Sequence, residues 1–157
     1  MNILVVYDSM YGNTKKIAET VAKSFDSTHK TNLLIAGDVT AQNLKDIELL
    51  IVGTPTQGGR PTEDIQEFLD ELPMNSLQGT KVAAFDTRFS ENGQNFALRM
   101  LLRTVGYAAP RIIEELKIKG GNAIASPEGF IVSHKEGPLA EDELKRAGTW
   151  AAKLLTL

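Results

Sequence analysis

Apolar residues follow two alternating patterns along the chain: short continuous runs, and segments in which they recur every three or four positions. Residues 3–7 form an apolar run rich in β-branched residues, which is typical of a strand covered on both faces. After a polar loop, Ile17, Val21 and Phe25 are spaced four apart and predict a helix over residues 13–25. The first 25 residues therefore predict a strand, a loop and a helix.

The same alternation continues to the end of the chain. Pro61 and Thr62 precede two acids and an apolar helical pattern, which predicts a helix capped by Thr62 and ended by Pro73. Pro127 interrupts the last apolar run, because proline cannot donate to a sheet ladder. Five strands that alternate with helices favour a parallel sheet with helices on both faces. The other predicted elements are strands over residues 32–35, 49–53, 82–85 and 123–125 with 129–132, and helices that run from Phe96 to Gly106, from Pro110 to Gly120 and over residues 140–155.

The last predicted helix has one apolar side. Leu144, Ala147, Ala151 and Leu154 have the spacing of a single helical stripe and predict the side that packs on the sheet. Trp150 lies in the same helix, and we interpret it as core packing and not as a ligand contact.

Composition restricts the chemistry that the fold can carry. The 157 residues suit one domain, which we place over residues 1–157, and they include no cysteine. Disulfides, thiolate metal sites and cysteine nucleophiles are thereby excluded, so redox chemistry requires a bound cofactor. His29 and His134 are far apart in sequence and lack carboxylates at metal-ligand spacing, so we expect no metal site.

Charge and hydropathy restrict the partners. The formal net charge is −3, so the chain lacks the basic surface that is typical of a nucleic-acid binder. No apolar run approaches the roughly 20 residues that a membrane span requires. We therefore expect a cytoplasmic protein with neither a nucleic-acid nor a membrane partner.

Small and polar residues are concentrated in the loops after the first, third and fourth strands, at residues 8–13, 54–61 and 86–94. In an open parallel sheet these loops lie at the carboxyl edge, where ligands bind. The first loop offers the Ser9 and Thr14 hydroxyls, the flexible Gly12 and the unpaired amides of a helix N-terminus, which favours a bound phosphate. The alternative interpretation is that Ser9 and Asn13 cap the helix and Gly12 completes a turn. The first loop matches neither the nucleoside triphosphate motif nor the dinucleotide motif.

Several motifs resemble those of one known family. Gly12, Asn13 and Thr14 follow an apolar first strand and match a phosphate loop that commonly reads Thr/Ser-x-Thr-Gly-Asn-Thr, with Tyr11 in place of a hydroxyl residue. Residues 53–59, 127–128 and 136–139 extend the match along nearly the whole chain, which resembles the flavodoxin family. The resemblance implies an α/β flavodoxin-like three-layer sandwich with a five-stranded parallel sheet of order 2-1-3-4-5. Flavodoxin is itself a known example of ligand binding at the strand switch point.

The resemblance also implies a non-covalently bound FMN, with its phosphate in the first loop and its isoalloxazine ring at the second and third loops. Flavodoxins usually bracket the ring with two aromatic side chains, but Gln57 stands where one of them often lies. Phe89 is the aromatic residue of the third loop, although it could also serve only in loop packing, and Tyr11 is a candidate substitute for the missing ring. We expect no catalytic residue. The residues expected to bind FMN are Ser9, Met10, Tyr11, Gly12, Asn13, Thr14, Thr54, Pro55, Thr56, Gln57, Gly58, Gly59, Asp86, Thr87, Arg88 and Phe89.

Two arginines lie in these loops, where typical flavodoxins have acids. A cation near the flavin stabilises its anionic reduced form. Arg60 and Arg88 therefore predict a less negative reduction potential than in acidic relatives.

The function implied by the resemblance is electron transfer with redox partner proteins, by a monomer or a weak homodimer. One alternative is an FMN-dependent NAD(P)H:quinone reductase, so the sequence leaves open whether the chain is an enzyme. The other is a flavin-free binding module, because this architecture hosts unrelated functions.

Overall fold

The computed structural model describes residues 1–25 and 27–157, in which a parallel β-sheet lies between two layers of helices. The strands are β1 (Asn2–Tyr7), β2 (Lys30–Ile35), β3 (Leu49–Pro55), β4 (Lys81–Phe89), β5 (Asn122–Ala123) and β6 (Glu128–Val132). The α-helices are α1 (Asn13–Lys23), α2 (Glu63–Glu71), α3 (Phe96–Val105), α4 (Ala108–Ile118) and α5 (Glu143–Leu154), and two 3₁₀ turns, Ala36–Asp38 and Ala41–Leu44, lie between β2 and β3.

The strand order is β2-β1-β3-β4-β5, with β6 also paired to β4, and all of these pairs are parallel. This order confirms the predicted α/β class and sheet topology. β5 pairs with Lys81 and Val82 of β4, whereas β6 pairs with the second half of β4. Pro127 lies in the gap between β5 and β6, so the predicted interruption of the last strand is confirmed.

Successive side chains of the central strands pack into opposite layers. In β1, Leu4 and Val6 belong to the core that includes α2 and α4, whereas Ile3 and Val5 belong to the core that includes α1 and α5. All four side chains are almost completely buried. The run lacks polar alternation because neither face of the strand meets water.

The packing of α5 confirms one prediction and corrects another. Trp150 is buried, with its ring edge-on to Phe85 and Phe130 at centroid distances of 5.9 and 6.1 Å. Leu144, predicted to face the sheet, is instead 44% exposed, and the helix begins at Glu143. The buried Glu143 carboxylate accepts a hydrogen bond from the Ile131 amide at 2.6 Å. Glu143, and not Leu144, therefore points toward the sheet.

β4 is longer than its apolar run predicts. Residues 86–89, expected to open a loop, continue the strand because all four pair with β6, and Asp86 and Thr87 pair with β3 as well. Next to this pairing, the Thr56 amide donates to the Thr87 carbonyl oxygen at 2.9 Å. Asp86, Thr87, Arg88 and Phe89 are therefore held in the sheet, and the loop begins after them.

Two helix ends also differ from prediction. α1 ends at Lys23, although Phe25 beyond it still packs in the core. Thr62 stands at the N-cap of α2 as predicted, but its hydroxyl has no hydrogen-bond partner among the residues that the structure describes. Its amide donates to Thr54 Oγ1 at 3.1 Å, so a side chain of β3 fixes the start of this helix.

Candidate functional site

A cavity of about 490 Å³ opens at the carboxyl edge of the sheet, where β1, β3 and β4 end. Its volume lies within the range of roughly 300–1,000 Å³ that is common for ligand sites. Most of the residues predicted to bind a ligand line it, whereas Gly12, Thr54, Gly59 and Asp86 do not. The lining residues are Ser9, Met10, Tyr11, Asn13, Thr14, Pro55, Thr56, Gln57, Gly58, Thr87, Arg88, Phe89, Val132 and Lys135.

The loop after β1 is organised around the Ser9 hydroxyl. Ser9 Oγ accepts hydrogen bonds from the Gly12 amide at 3.0 Å and the Lys15 amide at 3.3 Å. Ser9 therefore performs the capping role that the alternative interpretation expects. Gly12 has a φ of +90° with open space where a Cβ would lie, so backbone conformation and not crowding calls for glycine here.

Four other amides of this loop have no acceptor within the described part of the chain. They belong to Met10, Tyr11, Asn13 and Thr14. Asn13 and Thr14 are buried residues in the first turn of α1, where the amides of a helix have no acceptor inside the helix. Unpaired amides at a helix N-terminus form a binding site for an anion.

Asn13 also connects this loop to the segment after β6. Its Nδ2 atom donates to the Glu136 carbonyl oxygen at 3.0 Å. Gly137 packs against the same side chain, since an added Cβ would lie 2.7 Å from the Asn13 amide group, and its φ is +105°. The contact places Lys135 at the cavity wall, and Lys135 has no ion-pair partner among residues 1–25 and 27–157.

Threonine hydroxyls join the elements that surround the cavity. Thr14 Oγ1 on α1 and Thr87 Oγ1 on β4 are 2.8 Å apart and hydrogen-bonded. Thr56 Oγ1 accepts from the Ala108 amide at 3.0 Å, at the start of α4. Thr54, which does not line the cavity, is fully buried and positions α2 as described above.

The second loop is a tight turn. The Gln57 and Arg60 main chains exchange hydrogen bonds of 2.9 and 3.0 Å, with Gly58 and Gly59 at positive φ between them. Gly59 faces α3, because an added Cβ would lie 2.5 Å from the Val105 carbonyl oxygen. It is therefore a packing residue in the wall and does not line the cavity.

The two predicted cations have different positions. Arg60 lies outside this cavity, in a separate groove with Arg111, Glu114 and Glu115. Arg88 does line the cavity, but both its Nε and Nη2 atoms donate to the Asp86 carboxylate. Arg60 is therefore not a lining residue and Arg88 is ion-paired, while the predicted effect of the two arginines on the reduction potential stays a prediction.

Asp86 serves the wall of the site and does not line the cavity. Its side chain is completely buried, and besides Arg88 it accepts from the Ala109 amide at 2.8 Å. The Arg88 guanidinium in turn lies 3.7 Å from the centroid of the Tyr107 ring. The carboxylate thus joins β4 to the first turn of α4, where the helix dipole favours a negative charge.

Tyr107 continues this network away from the cavity. Its hydroxyl donates to Glu91 Oε1 at 2.9 Å, and Arg103 Nε of α3 donates to Glu91 Oε2 at 3.1 Å. Burial, together with the Glu91 carboxylate, raises the pKa of Tyr107 to about 12. The hydrogen bonds from Tyr107 and Arg103 lower the pKa of Glu91.

Two aromatic side chains stand at the cavity wall. Tyr11 is 46% exposed and Phe89 is 40% exposed, and both line the same cavity as Gln57. Gln57 contributes no aromatic ring to the cavity wall, but Tyr11 of the first loop does. Partly exposed rings of this kind can stack against a flat heterocycle.

A family model for flavodoxins matches residues 5–124. The chain belongs to the flavodoxin family. Its structure is similar to a flavodoxin from the domain Archaea, with a TM-score of 0.78, 23% identity and coverage of 99% of this chain and 97% of that chain. Flavodoxin 1 from Bacillus cereus matches with a TM-score of 0.76, 17% identity and coverage of 99% and 98%. Rubredoxin:oxygen oxidoreductase from Desulfovibrio gigas matches with a TM-score of 0.71 and 22% identity, over 99% of this chain and 36% of that chain.

Membership of the flavodoxin family supports FMN binding and electron transfer. The residues of this flavodoxin also fit FMN on their own chemistry. Unpaired amides suit a phosphate, and partly exposed rings suit a flat heterocycle, and both line one cavity of sufficient volume.

Two lining residues of this flavodoxin, Val132 and Lys135, were missed by the sequence reasoning. Val132 ends β6, so its place at the carboxyl edge follows from the same rule that identified the other loops. Lys135 precedes the segment 136–139 that already carried the family resemblance. Its position depends on the contact between Asn13 and Glu136, which joins residues 123 positions apart and has no local sequence signal.

None of the helices within residues 1–25 and 27–157 is long and apolar enough to cross a membrane. The same residues contain no group of three or more histidine or carboxylate side chains that could hold a metal ion.

Proposed function

We propose that this flavodoxin binds one FMN non-covalently in the cavity and carries electrons between partner proteins. The observation that carries the proposal is the set of four amides without acceptors in the first loop. A terminal phosphate would accept hydrogen bonds from these amides, and the N-terminus of α1 would favour its negative charge. This anchor uses backbone donors, so it does not depend on a basic side chain.

The other lining residues hold the ring. Tyr11 and Phe89 offer partly exposed aromatic surface, and Gln57 offers an amide in place of a second conventional stacking ring. Stacking of nucleic-acid bases on aromatic side chains contributes roughly 1–3 kcal/mol per base, and a contact of this kind is expected here. Thr54, Gly59 and Asp86 support the wall from behind, through α2, α3 and α4 respectively.

FMN, when bound, supplies redox chemistry that the side chains of a cysteine-free chain do not provide. The chain holds the cofactor and sets the charge around it. Because Asp86 neutralises Arg88, Lys135 is the lining cation that retains its charge for the ligand. We accordingly assign the side-chain attraction for the phosphate to Lys135.

Calorimetry of the purified flavin-free chain with FMN and with riboflavin tests the proposal. We expect FMN to bind about a hundredfold more tightly, because riboflavin lacks the phosphate to which the amides would donate, and this ratio corresponds to about 2.7 kcal/mol. Equal affinities would contradict the phosphate anchor. Failure of both flavins to bind would favour the flavin-free module.

A matched pair of serine variants sharpens the test. Ser9→Ala removes the hydroxyl that orders the first loop, so we expect weaker FMN binding. Ser90→Ala removes a hydroxyl that also accepts a nearby amide, from Asn92, but outside the cavity, and it should leave the affinity unchanged. Rapid NADPH oxidation by the FMN-loaded chain, without a protein acceptor, would instead favour the reductase.

A further inference from the structure

Helix α3 presents its apolar side chains to solvent. None of its ten residues, all of which the structure describes, is buried. Phe96 is 77% exposed, Leu101 is 56% exposed and Met100 is 45% exposed. A surface helix normally packs its apolar side on the core, and a large exposed apolar patch marks an interaction site.

The charges of this helix are all positive. Arg99 and Arg103 are its charged residues, and no acid occurs over residues 92–113, although the whole chain has a formal charge of −3. Phe96, Met100 and Arg103 have the i, i+4, i+7 spacing, so they share one side of the helix. Glu91 accepts from Arg103 at the edge of this surface. The exposed side of α3 thus combines apolar and cationic groups.

α3 also lies beside the cavity. Phe89, which lines the cavity, ends β4, and residues 90–95 lead from it directly into the helix. At the other end of α3, the Val105 main chain packs against Gly59, whose neighbour Gly58 lines the cavity. A molecule seated on α3 would therefore be next to the proposed FMN.

We propose that the solvent-facing side of α3 is the docking surface for a redox protein whose contact face has an apolar centre surrounded by carboxylates. The need for a redox partner rests on the proposed function. Aromatic residues, methionine and arginine are enriched at protein interfaces, and Arg99, which has no ion-pair partner among the described residues, would favour and steer a partner of opposite charge. A membrane-surface helix carries its basic residues opposite its apolar side, whereas Arg103 shares a side with Phe96 and Met100.

The test is an NMR titration of the isotope-labelled, FMN-loaded full chain with cytochrome b5, an acidic haem protein, at low ionic strength. We expect amide shifts centred on residues 96–105 and weaker binding to basic cytochrome c. Met100→Glu places a negative charge at the centre of the surface and should raise the Kd for cytochrome b5 about tenfold. Leu144→Glu on α5, at 44% exposure, adds the same charge to an equally exposed apolar position and should change the Kd less than about twofold.

Shifts centred elsewhere, or equal effects of the two variants, would overturn the proposal. Binding of α3 to phosphatidylserine vesicles, or a dimer in sedimentation that Met100→Glu abolishes, would assign the surface to a membrane or to a second copy instead. The shifts do not require a flavin. Docking by a chain that fails to bind FMN would overturn the proposed function alone, whereas FMN binding without shifts in α3 would overturn the docking surface alone.

Discussion

The hydroxyl oxygens of Thr14 and Thr87 are 2.8 Å apart in a buried position, and their hydrogen bond joins the first turn of α1 to β4. Both residues line the cavity. The helix whose N-terminus offers the unpaired amides is therefore fixed directly to the strand that carries Arg88 and Phe89. This pair of hydroxyls therefore fixes the position of the loop after β1 relative to the end of β4.

Thr87→Val removes one hydroxyl of the pair with little change in volume. The buried Thr14 hydroxyl then lacks its partner, so we expect the free energy of unfolding of the flavin-free chain to fall by about 1–3 kcal/mol in urea. Combining Thr14→Val with Thr87→Val should cost less than the sum of the single changes, because both polar groups are then absent. Strictly additive costs would contradict a direct bond.

Gly137→Ala should destabilise the loop that carries Lys135. The new methyl group would collide with the Asn13 side chain at a φ of +105°, so we expect a loss of more than about 1 kcal/mol in unfolding free energy and weaker FMN binding. Gly79→Ala is the control, since Gly79 has a φ of +81° but open space around the added carbon. Equal losses in the two variants would mean that the contact with Asn13 has no effect.

Lys135→Gln should weaken FMN binding without changing riboflavin binding. Lys135 lines the cavity and has no ion-pair partner among the described residues, and the phosphate is the main negative charge of the proposed FMN. We expect about a threefold loss of affinity by calorimetry, which diminishes as salt is added. Lys153→Gln on α5, outside the cavity lining, should have no such effect. An equal loss for both flavins would assign Lys135 to ring contact instead.

Arg88→Gln should act mainly on stability. Asp86 is completely buried, and removing its bidentate partner leaves an uncompensated carboxylate, which costs about 3–5 kcal/mol in unfolding free energy. Adding Asp86→Asn should recover part of this loss. If Arg88→Gln instead left stability unchanged and made the flavin potential more negative, Arg88 would be a free charge at the flavin and not a structural ion pair.

Ionisation of Tyr107 should lower the unfolding free energy as the pH rises from about 10 to about 12. Its pKa is raised to about 12 in the folded chain, so the folded state keeps a proton that the unfolded chain loses near pH 10. The stabilisation is complete below this window and is lost as the pH rises through it. In urea titrations, Tyr107→Phe should approach the wild-type stability across the window. A constant difference between the two proteins would contradict the raised pKa.

Most of the strands could be predicted because their determinants are local, whereas the sheet order was implied by the family resemblance. Leu4 and Ile3 are buried on opposite faces, which leaves a continuous apolar run in the sequence. Gly12 and its neighbours follow such a run directly, which identifies the carboxyl edge. Asp86 and Arg88 could not be assigned in this way, because polar residues inside a strand look like a loop until the pairing with β6 is known.

Burial of helices was less predictable than their presence. The spacing of Phe96, Met100 and Leu101 correctly predicted α3, but it could not show that these three side chains are exposed. The prediction that Leu144 faces the sheet was wrong for a related reason, because Glu143 takes the position next to β6 and accepts a hydrogen bond from it. Periodicity predicts which residues share the apolar face of a helix, whereas the elements packed around the helix decide whether that face is buried.

The loop from Ser9 to Thr14 offers the proposed phosphate main-chain N–H groups in place of ionisable side chains. Such donors do not titrate in the physiological range, and ordinary substitutions other than proline leave them in place. Binding of the anion to these amides would then depend little on the ionisation of protein groups and would tolerate substitution of the surrounding side chains. Under the proposed function, substitutions at Tyr11 or Gln57 would alter the surroundings of the flavin ring and leave the main-chain donors to the phosphate in place.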